Sequence, residues 1–156
     1  MSDLQPDQPP LPPNSIVVGH DGSEYSTRAL GAALELAGQL HAPVVVVRAW
    51  SIDSAPRPAN WEFGYVSSLE EYAEAVRTEL ARDVRAEVAR HPEVEVDYRA
   101  VYASPVKCLV EIAREARMLV VGSRGRGGLA GMLLGSVSEQ CVRHAKCPVL
   151  VVRPNT

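Results

Sequence analysis

Four short runs of aliphatic, mostly β-branched residues constrain the fold of this chain more than any other feature. They are SIVVG at 15–19, VVVVRA at 44–49, MLVVG at 118–122 and VLVVR at 149–153. Longer segments with apolar residues at three- and four-residue steps separate most of them, an alternation typical of βαβ units in a parallel sheet. Because nearly every position in the four runs is apolar, we expect strands that helices cover on both faces.

A fifth strand is predicted over Val94–Tyr102, where apolar and charged residues alternate. The alternation gives the segment two different faces, with Val94, Val96, Tyr98, Ala100 and Tyr102 on one and Glu95, Asp97 and Arg99 on the other. A period of two with one charged face is typical of a half-exposed strand. The sequence therefore predicts that this strand lies at an edge of the sheet.

Helix starts are recognisable at two places between the strands. In the segment 67–71, Ser is followed three residues later by Glu, which predicts a capped helix that runs to about His91, before Pro92. Pro105 after Ser104 predicts the start of another helix. Residues 51–64 form one long irregular connection, of a kind that is often a functional flap in compact domains.

Length and composition favour one globular domain. The chain has 156 residues, of which 46% are hydrophobic and 22% charged, enough for a core that needs no disulfide or structural metal. We predict a disordered, proline-rich tail over residues 1–14 and a single domain over 15–154. The tail lacks the apolar centre of a signal peptide.

The same numbers bear on partners and location. No segment has the apolar length of a membrane-spanning helix, and a net charge of −3 gives no reason to expect nucleic acid. Three cysteines, Cys108, Cys141 and Cys147, include no C-x-x-C pair. An odd number of unpaired thiols favours a reducing compartment, so we expect a cytoplasmic protein with these cysteines packed in its core.

The most informative segment is GSRGRGGLAGMLLGSVS at 122–138, which follows a predicted strand directly. Glycines let backbone amides approach a ligand closely, and a strand that ends in such a loop can surround a phosphate with N–H groups. Ser136 and Glu139 have capping-box spacing, which predicts a helix from about Val137. Its free amides and dipole would then favour a phosphate beside Gly135.

The same residues also allow simpler interpretations, and other nucleotide-binding and catalytic motifs are incomplete or absent. The glycines could form only a tight turn, Arg124 and Arg126 could be merely solvated, and Asp21 could cap a helix together with Ser23. The lysine of a P-loop is absent, and the dinucleotide fingerprint at 125–130 has no acidic residue about twenty positions further on. The histidines and cysteines lack metal-ligand spacing, and nothing indicates a catalytic acid–base pair.

In the glycine-rich segment, two residues separate Gly122 from Gly125, nine separate Gly125 from Gly135, and Ser136 follows. At this point the sequence resembles the ATP-binding branch of the universal stress protein family. The resemblance extends over residues 14–154 and includes the segments GHDGS at 19–23, ASP at 103–105 and CPVLVV at 147–152.

The resemblance implies an open five-stranded parallel α/β sheet of order 3-2-1-4-5, Rossmann-like, with helices on both faces. It also implies a homodimer paired through the C-terminal strand, and ATP with its Mg as the ligand. The residues that match the family's nucleotide contacts are Gly19, Asp21, Ala49, Gly122, Ser123, Arg124, Gly125, Gly135, Ser136 and Val137.

By the same resemblance, the function is a nucleotide-dependent regulator or sensor in the stress response, with at most slow ATP hydrolysis. It would not be an enzyme in the usual sense, because the adenylating enzymes related to this fold have a further domain for their substrate. Two alternatives stay open. The chain could bind AMP or cyclic AMP instead, or it could be a dimeric interaction protein that uses no nucleotide.

Overall fold

The computed structural model describes residues 8–56, 68–125 and 134–154. The elements follow one another as β1 (Ile16–Gly19), α1 (Glu24–Leu40), β2 (Val44–Trp50), α2 (Leu69–Asp83), α3 (Arg85–Ala89), β3 (Val96–Tyr102), α4 (Pro105–Ile112), a 3₁₀ turn (Ala113–Glu115), β4 (Met118–Gly122), α5 (Ser136–His144) and β5 (Val149–Val152). Each of the five predicted strands is present, with ends that differ from the prediction by two residues at most.

The five strands form one parallel sheet in the order β3-β2-β1-β4-β5. Val17 of β1 pairs with Val45 on one side and with Leu119 on the other. The predicted fold class and strand order are confirmed, as is the edge position of β3. The sheet order reverses beside β1, because β2 follows β1 on one side and β4 lies on the other.

Helices cover both faces of the sheet. The alternating strand residues divide the core into two layers, so that Ile16 and Val18 pack with α1, Leu80 and Val84, whereas Val17 packs with α4 and α5. All three strand residues are fully buried. This two-sided burial explains why the central strands are apolar at nearly every position.

The helix predicted from Ser68 to His91 is divided in two, which corrects that prediction. Its start is as expected, since the Ser68 hydroxyl accepts a hydrogen bond from the Glu71 amide. At Val84 the backbone leaves helical geometry, with φ −105° and ψ 4°. Val84 is fully buried in the core, so the change of direction keeps it against the sheet while α3 packs on α1.

Residues 8–14, which fall within the segment 1–14 predicted to be a disordered tail, make defined contacts with the domain. The Pro10 carbonyl accepts a hydrogen bond of 3.0 Å from Arg99 Nη2, and Leu11 packs against the core layer that contains α4. Ser15 Oγ donates to the Pro12 carbonyl. Arg99, predicted to lie on a half-exposed face, is therefore only 6% exposed. Residues 1–7 lie outside the described residues.

Candidate functional site

A cleft of about 480 Å³ opens at the carboxyl ends of β1, β2 and β4. Parallel α/β sheets form such a crevice where the strand order reverses, because the loops after neighbouring strands leave toward opposite faces. Here the chain after β1 enters α1 on one face, and α5 packs on the other. The volume of the cleft lies within the range of small-molecule sites.

Nine of the ten residues predicted to bind a ligand line this cleft. They come from distant parts of the chain and are Gly19, Asp21, Ala49, Gly122, Arg124, Gly125, Gly135, Ser136 and Val137. The tertiary structure thus brings together the turn after β1 and the two ends of the glycine-rich segment. Residues 126–133, with Arg126, lie outside the described residues, as do residues 57–67, which include 57–64 of the predicted flap.

Asp21 lies in a tight turn between β1 and α1. Its Oδ1 accepts a 2.9 Å hydrogen bond from the Ser23 amide, and Gly22 between them has a φ of 88°, which favours glycine. Ser23 is the N-cap of α1 and accepts from the Ser26 amide through its hydroxyl. Asp21 therefore both supports the start of α1 and lines the cleft.

The start of α5 corrects one local prediction. Gly135, and not Ser136, is the N-cap, and α5 begins at Ser136. The first helical backbone bond runs from the Glu139 amide to the Gly135 carbonyl, so the amides of Ser136, Val137 and Ser138 precede it. These are the N–H groups that a helix N-terminus can offer to an anion.

Ser123 is the predicted site residue that does not line the cleft. It is 1% exposed, its amide donates to the Val152 carbonyl, and its carbonyl accepts from both the Gly135 amide and Ser138 Oγ. Its own hydroxyl has no partner among the described residues. Ser123 therefore joins the two ends of the glycine-rich segment.

Sequence reasoning missed several residues of the cleft wall. These are His20, Ser26, Val47, Pro105, Leu109, Val121 and Ser138. Val47 and Val121 were recognisable as residues near the ends of predicted strands. Pro105 and Leu109 were not, because only the packing of α4 against the sheet brings them to the cleft.

Few titratable side chains line the described part of the cleft, namely His20, Asp21 and Arg124. Asp21 is the one carboxylate among its described lining residues, and the described part of the chain contains no cluster of three or more His, Cys, Asp or Glu able to hold a metal. Of the three cysteines, Cys108 and Cys141 are buried and Cys147 is partly buried. Burial raises the pKa of the Cys108 thiol to about 12 and that of Cys141 to about 11, so these thiols are poor nucleophiles.

Comparison with known proteins identifies the family. The sequence profile of the universal stress protein family matches residues 13–153. The chain belongs to the universal stress protein family. A universal stress protein of Mycolicibacterium smegmatis is 38% identical to it over 141 residues, covering 89% of this chain and 45% of the relative. Universal stress protein Rv2623 of Mycobacterium tuberculosis is 37% identical over 140 residues, covering 88% and 44%.

This universal stress protein chain therefore spans about half the length of the curated relatives that it matches. Among solved structures, a universal stress protein in complex with cAMP superposes with a TM-score of 0.66 at 29% identity, covering 91% of this chain and 98% of the other. UspA from Lactobacillus plantarum shares the fold, with a TM-score of 0.71 at 22% identity and coverage of 90% and 97%. No helix in the described ranges is long and apolar enough to cross a membrane.

Proposed function

We propose that this universal stress protein binds an adenine nucleotide in the cleft at the ends of β1, β2 and β4. ATP is the leading candidate. In this proposal the protein is a nucleotide-dependent regulator or sensor of the stress response in the cytoplasm, with at most slow hydrolysis of ATP. The proposal rests mainly on the observation that one cleft is lined by Asp21, by the glycines at 122, 125 and 135, and by the N-terminus of α5.

The two sides of the cleft differ in a way that suits a nucleotide. Toward β2 and α4 the wall is apolar and consists of Val47, Ala49, Pro105 and Leu109, which suits a planar base. Toward β4 and α5 it offers Arg124 and the amides of the first turn of α5. Cationic and N–H donors of this kind suit phosphates.

Two glycines test whether the residues fit a phosphate loop. A Cβ added to Gly125 would lie 2.5 Å from Asp21 Oδ2, and one added to Gly122 would lie 3.0 Å from the Tyr25 carbonyl oxygen. A side chain at position 125 would therefore displace the Asp21 carboxylate, and one at position 122 would press on the backbone at the start of α1. Mg would bind mainly through the phosphates and water, as Mg²⁺ commonly does in nucleotide sites. Asp21, the carboxylate among the described lining residues, would be the residue to hold it.

Two observations bear on which adenine nucleotide the cleft binds. The resemblance of the glycine spacing to that of the family's ATP-binding branch favours ATP, whereas the neighbour at 29% identity is a complex with cAMP. Both ligands share the adenosine group, which the apolar side of the cleft would hold. AMP, ATP and cAMP are therefore compared in the same experiment.

The experiment is acid extraction of the purified protein with chromatography of the released nucleotides, followed by thermal unfolding with Mg-ATP, AMP or cAMP. A ligand at one hundred times its dissociation constant adds about 2.7 kcal/mol of stability. In a domain of this size, that raises the midpoint by roughly 5 to 10 °C. If none of the three nucleotides is recovered or raises the midpoint, the proposal is wrong.

The second candidate function is a dimeric interaction protein that uses no nucleotide. The observation that favours an interface is β5, an apolar edge strand whose four residues are all only half buried. Open apolar edges are commonly covered by pairing with another chain. We propose a homodimer through β5 whether or not the protein binds a nucleotide. Dimerisation therefore does not separate the two candidate functions, and the nucleotide experiment does.

A further inference from the structure

A buried cation lies beside the cleft, and the proposed binding of a nucleotide does not by itself explain it. Arg48, on β2, is 8% exposed. Its Nη1 lies 3.0 Å from Asp83 Oδ2 and 3.7 Å from Glu79 Oε1, both on α2. A buried guanidinium needs such partners because burying an unpaired charge is costly.

The other nitrogens of Arg48 are directed at His20, the residue after β1. Nε donates to the His20 carbonyl at 3.3 Å, and Nη2 lies 2.7 Å from His20 Nδ1. The guanidinium thus joins α2 to the first residue of the turn that contains Asp21.

The hydrogen bonds determine the tautomer of His20. Arginine and a backbone amide can only donate, so Nδ1 must accept from both Arg48 Nη2 and the Gly22 amide, which is 3.2 Å away. The proton of the neutral ring is then on Nε2, which donates to Thr27 Oγ1 at 3.0 Å. Thr27 in turn donates to the Ser23 carbonyl at 3.3 Å.

This chain of bonds holds the turn at three points. His20 Nδ1 accepts from the amide of Gly22, whose φ is 88°. The Thr27 hydroxyl holds the Ser23 carbonyl, and the Ser23 amide donates to Asp21 Oδ1. The turn that carries Asp21 is therefore held in part by His20, which is 3% exposed and whose ring Arg48 contacts.

We propose that Arg48 is a positioning residue of the cleft, which acts through His20 to hold the Asp21–Gly22 turn in its binding geometry. The expected effect of Arg48 on nucleotide affinity rests on the proposed nucleotide function. The expected effect of Arg48 on the geometry of the turn does not, so the two expectations can be refuted separately. Arg48 also makes the turn sensitive to the position of α2, because the same guanidinium binds Asp83 and Glu79.

The test compares Arg48→Met with Arg77→Met in the full chain. Arg77 also joins α2 to the sheet, through a 3.0 Å bond from Nε to the Tyr98 carbonyl and a contact of 3.8 Å with Asp97, but it makes none of the bonds to His20. Mg-ATP is titrated calorimetrically into each protein well below its unfolding midpoint. We expect Arg48→Met to raise the dissociation constant at least about tenfold, as loss of a hydrogen bond to a charged group does, and Arg77→Met to change it less than about threefold.

Equal losses in the two variants would overturn the proposal, because Arg48 would then serve only to dock α2. An unchanged affinity in Arg48→Met would overturn it as well. Should Arg48→Met fail to fold, Arg48→Lys replaces it. Lysine keeps a cation for Asp83 but cannot supply the separate donors for the His20 carbonyl and ring, so the same loss of affinity is expected.

A second measurement needs no ligand. Nitrogen NMR of histidine-labelled wild-type protein reports the tautomer of His20, and amide exchange reports the Gly22 N–H. We expect the Nε2–H tautomer in the wild type, and faster Gly22 exchange in the Arg48 variant but not in Arg77→Met. A protonated ring, an Nδ1–H tautomer or unchanged Gly22 exchange would overturn the proposal even if the protein binds no nucleotide.

Discussion

The Asp21 carboxylate lies against the backbone of Gly125, so that a Cβ at residue 125 would be 2.5 Å from Asp21 Oδ2. These residues are far apart in the chain, and they join the turn after β1 to the loop after β4. Gly125→Ala should turn the Asp21 side chain away and break its bond to the Ser23 amide. We expect nucleotide affinity to fall at least about tenfold, measured by titration calorimetry.

The matched control for Gly125→Ala is Gly38→Ala. Gly38 lies within α1, and the nearest atom to an added Cβ is the end of the flexible Glu93 side chain, at 3.0 Å. Alanine is favoured over glycine in helices by up to about 1 kcal/mol, so this variant should be at least as stable as the wild type and bind equally well. Equal affinity in the Gly125 and Gly38 variants would show that the Asp21 contact has no part in binding.

Gly122→Ala should act on stability as well as on binding. Its Cβ would lie 3.0 Å from the Tyr25 carbonyl oxygen and 3.1 Å from the Arg124 carbonyl oxygen. Because both neighbours are backbone atoms, α1 or the loop must shift, at a cost of roughly 1 to 3 kcal/mol. Urea unfolding without nucleotide measures this loss. A free energy of unfolding equal to that of the wild type would mean that the backbone relaxes freely there.

The buried Cys108 thiol predicts a loss of stability in alkali. Burial raises its pKa from the ordinary 9.0 to about 12. In the unfolded chain the thiol ionises near its ordinary pKa, so between the two values the folded state binds more protons. The contribution of Cys108 to the free energy of unfolding is therefore complete below the ordinary pKa of the thiol. Above that pKa, the free energy of unfolding falls by at most about 1.4 kcal/mol per pH unit.

Denaturant unfolding of the wild type and of Cys108→Ala between neutral and alkaline pH isolates this contribution. The variant should be less stable at neutral pH, because it loses buried contacts, and its stability should depend less on pH. Parallel pH profiles for the two proteins would contradict the assignment to Cys108.

Leu11 should contribute to stability although it lies in the segment predicted to be disordered. It packs against the core layer around α4, beside the bond between the Pro10 carbonyl and Arg99. Leu11→Ala should cost about 1 kcal/mol, as expected for a partly buried leucine. Ile52→Ala is the control, because Ile52 is 53% exposed and should change stability by less than about 0.5 kcal/mol. Equal effects would mean that the N-terminal segment does not pack in solution.

Val151→Pro should separate the proposed homodimer into monomers. The carbonyls of Pro148 and Val152 accept hydrogen bonds from the amides of Leu119 in β4 and of Ser123 just after it. The backbone of Val151, next to Val152, is therefore directed at the open edge. Proline removes the N–H that a partner strand would use and leaves the β4 pairing intact. Sedimentation of the wild type should give a dimer and that of the variant a folded monomer. A wild-type monomer, or a dimeric variant, contradicts pairing through β5.

Much of the site was predictable because its signals are local. The spacing of Gly122, Gly125, Gly135 and Ser136 is read along the chain, and glycines in a loop after a strand allow close approach of the backbone to a ligand. The N-cap of α5 was misjudged by one residue, because Gly135 and Ser136 are both acceptable caps. In the structure the Gly135 amide donates to the Ser123 carbonyl, a contact between residues twelve positions apart that capping propensity does not include.

The sequence by itself determined the five strands, the edge position of β3 and the residue types of the proposed phosphate site. These follow from periodicity and turn chemistry, which act over a few neighbouring residues. Only the tertiary structure decided the burial of Arg48 against His20, the break at Val84 and the packing of Leu11. Each of these depends on contacts between segments far apart in the chain, and no local pattern encodes which distant surfaces will meet.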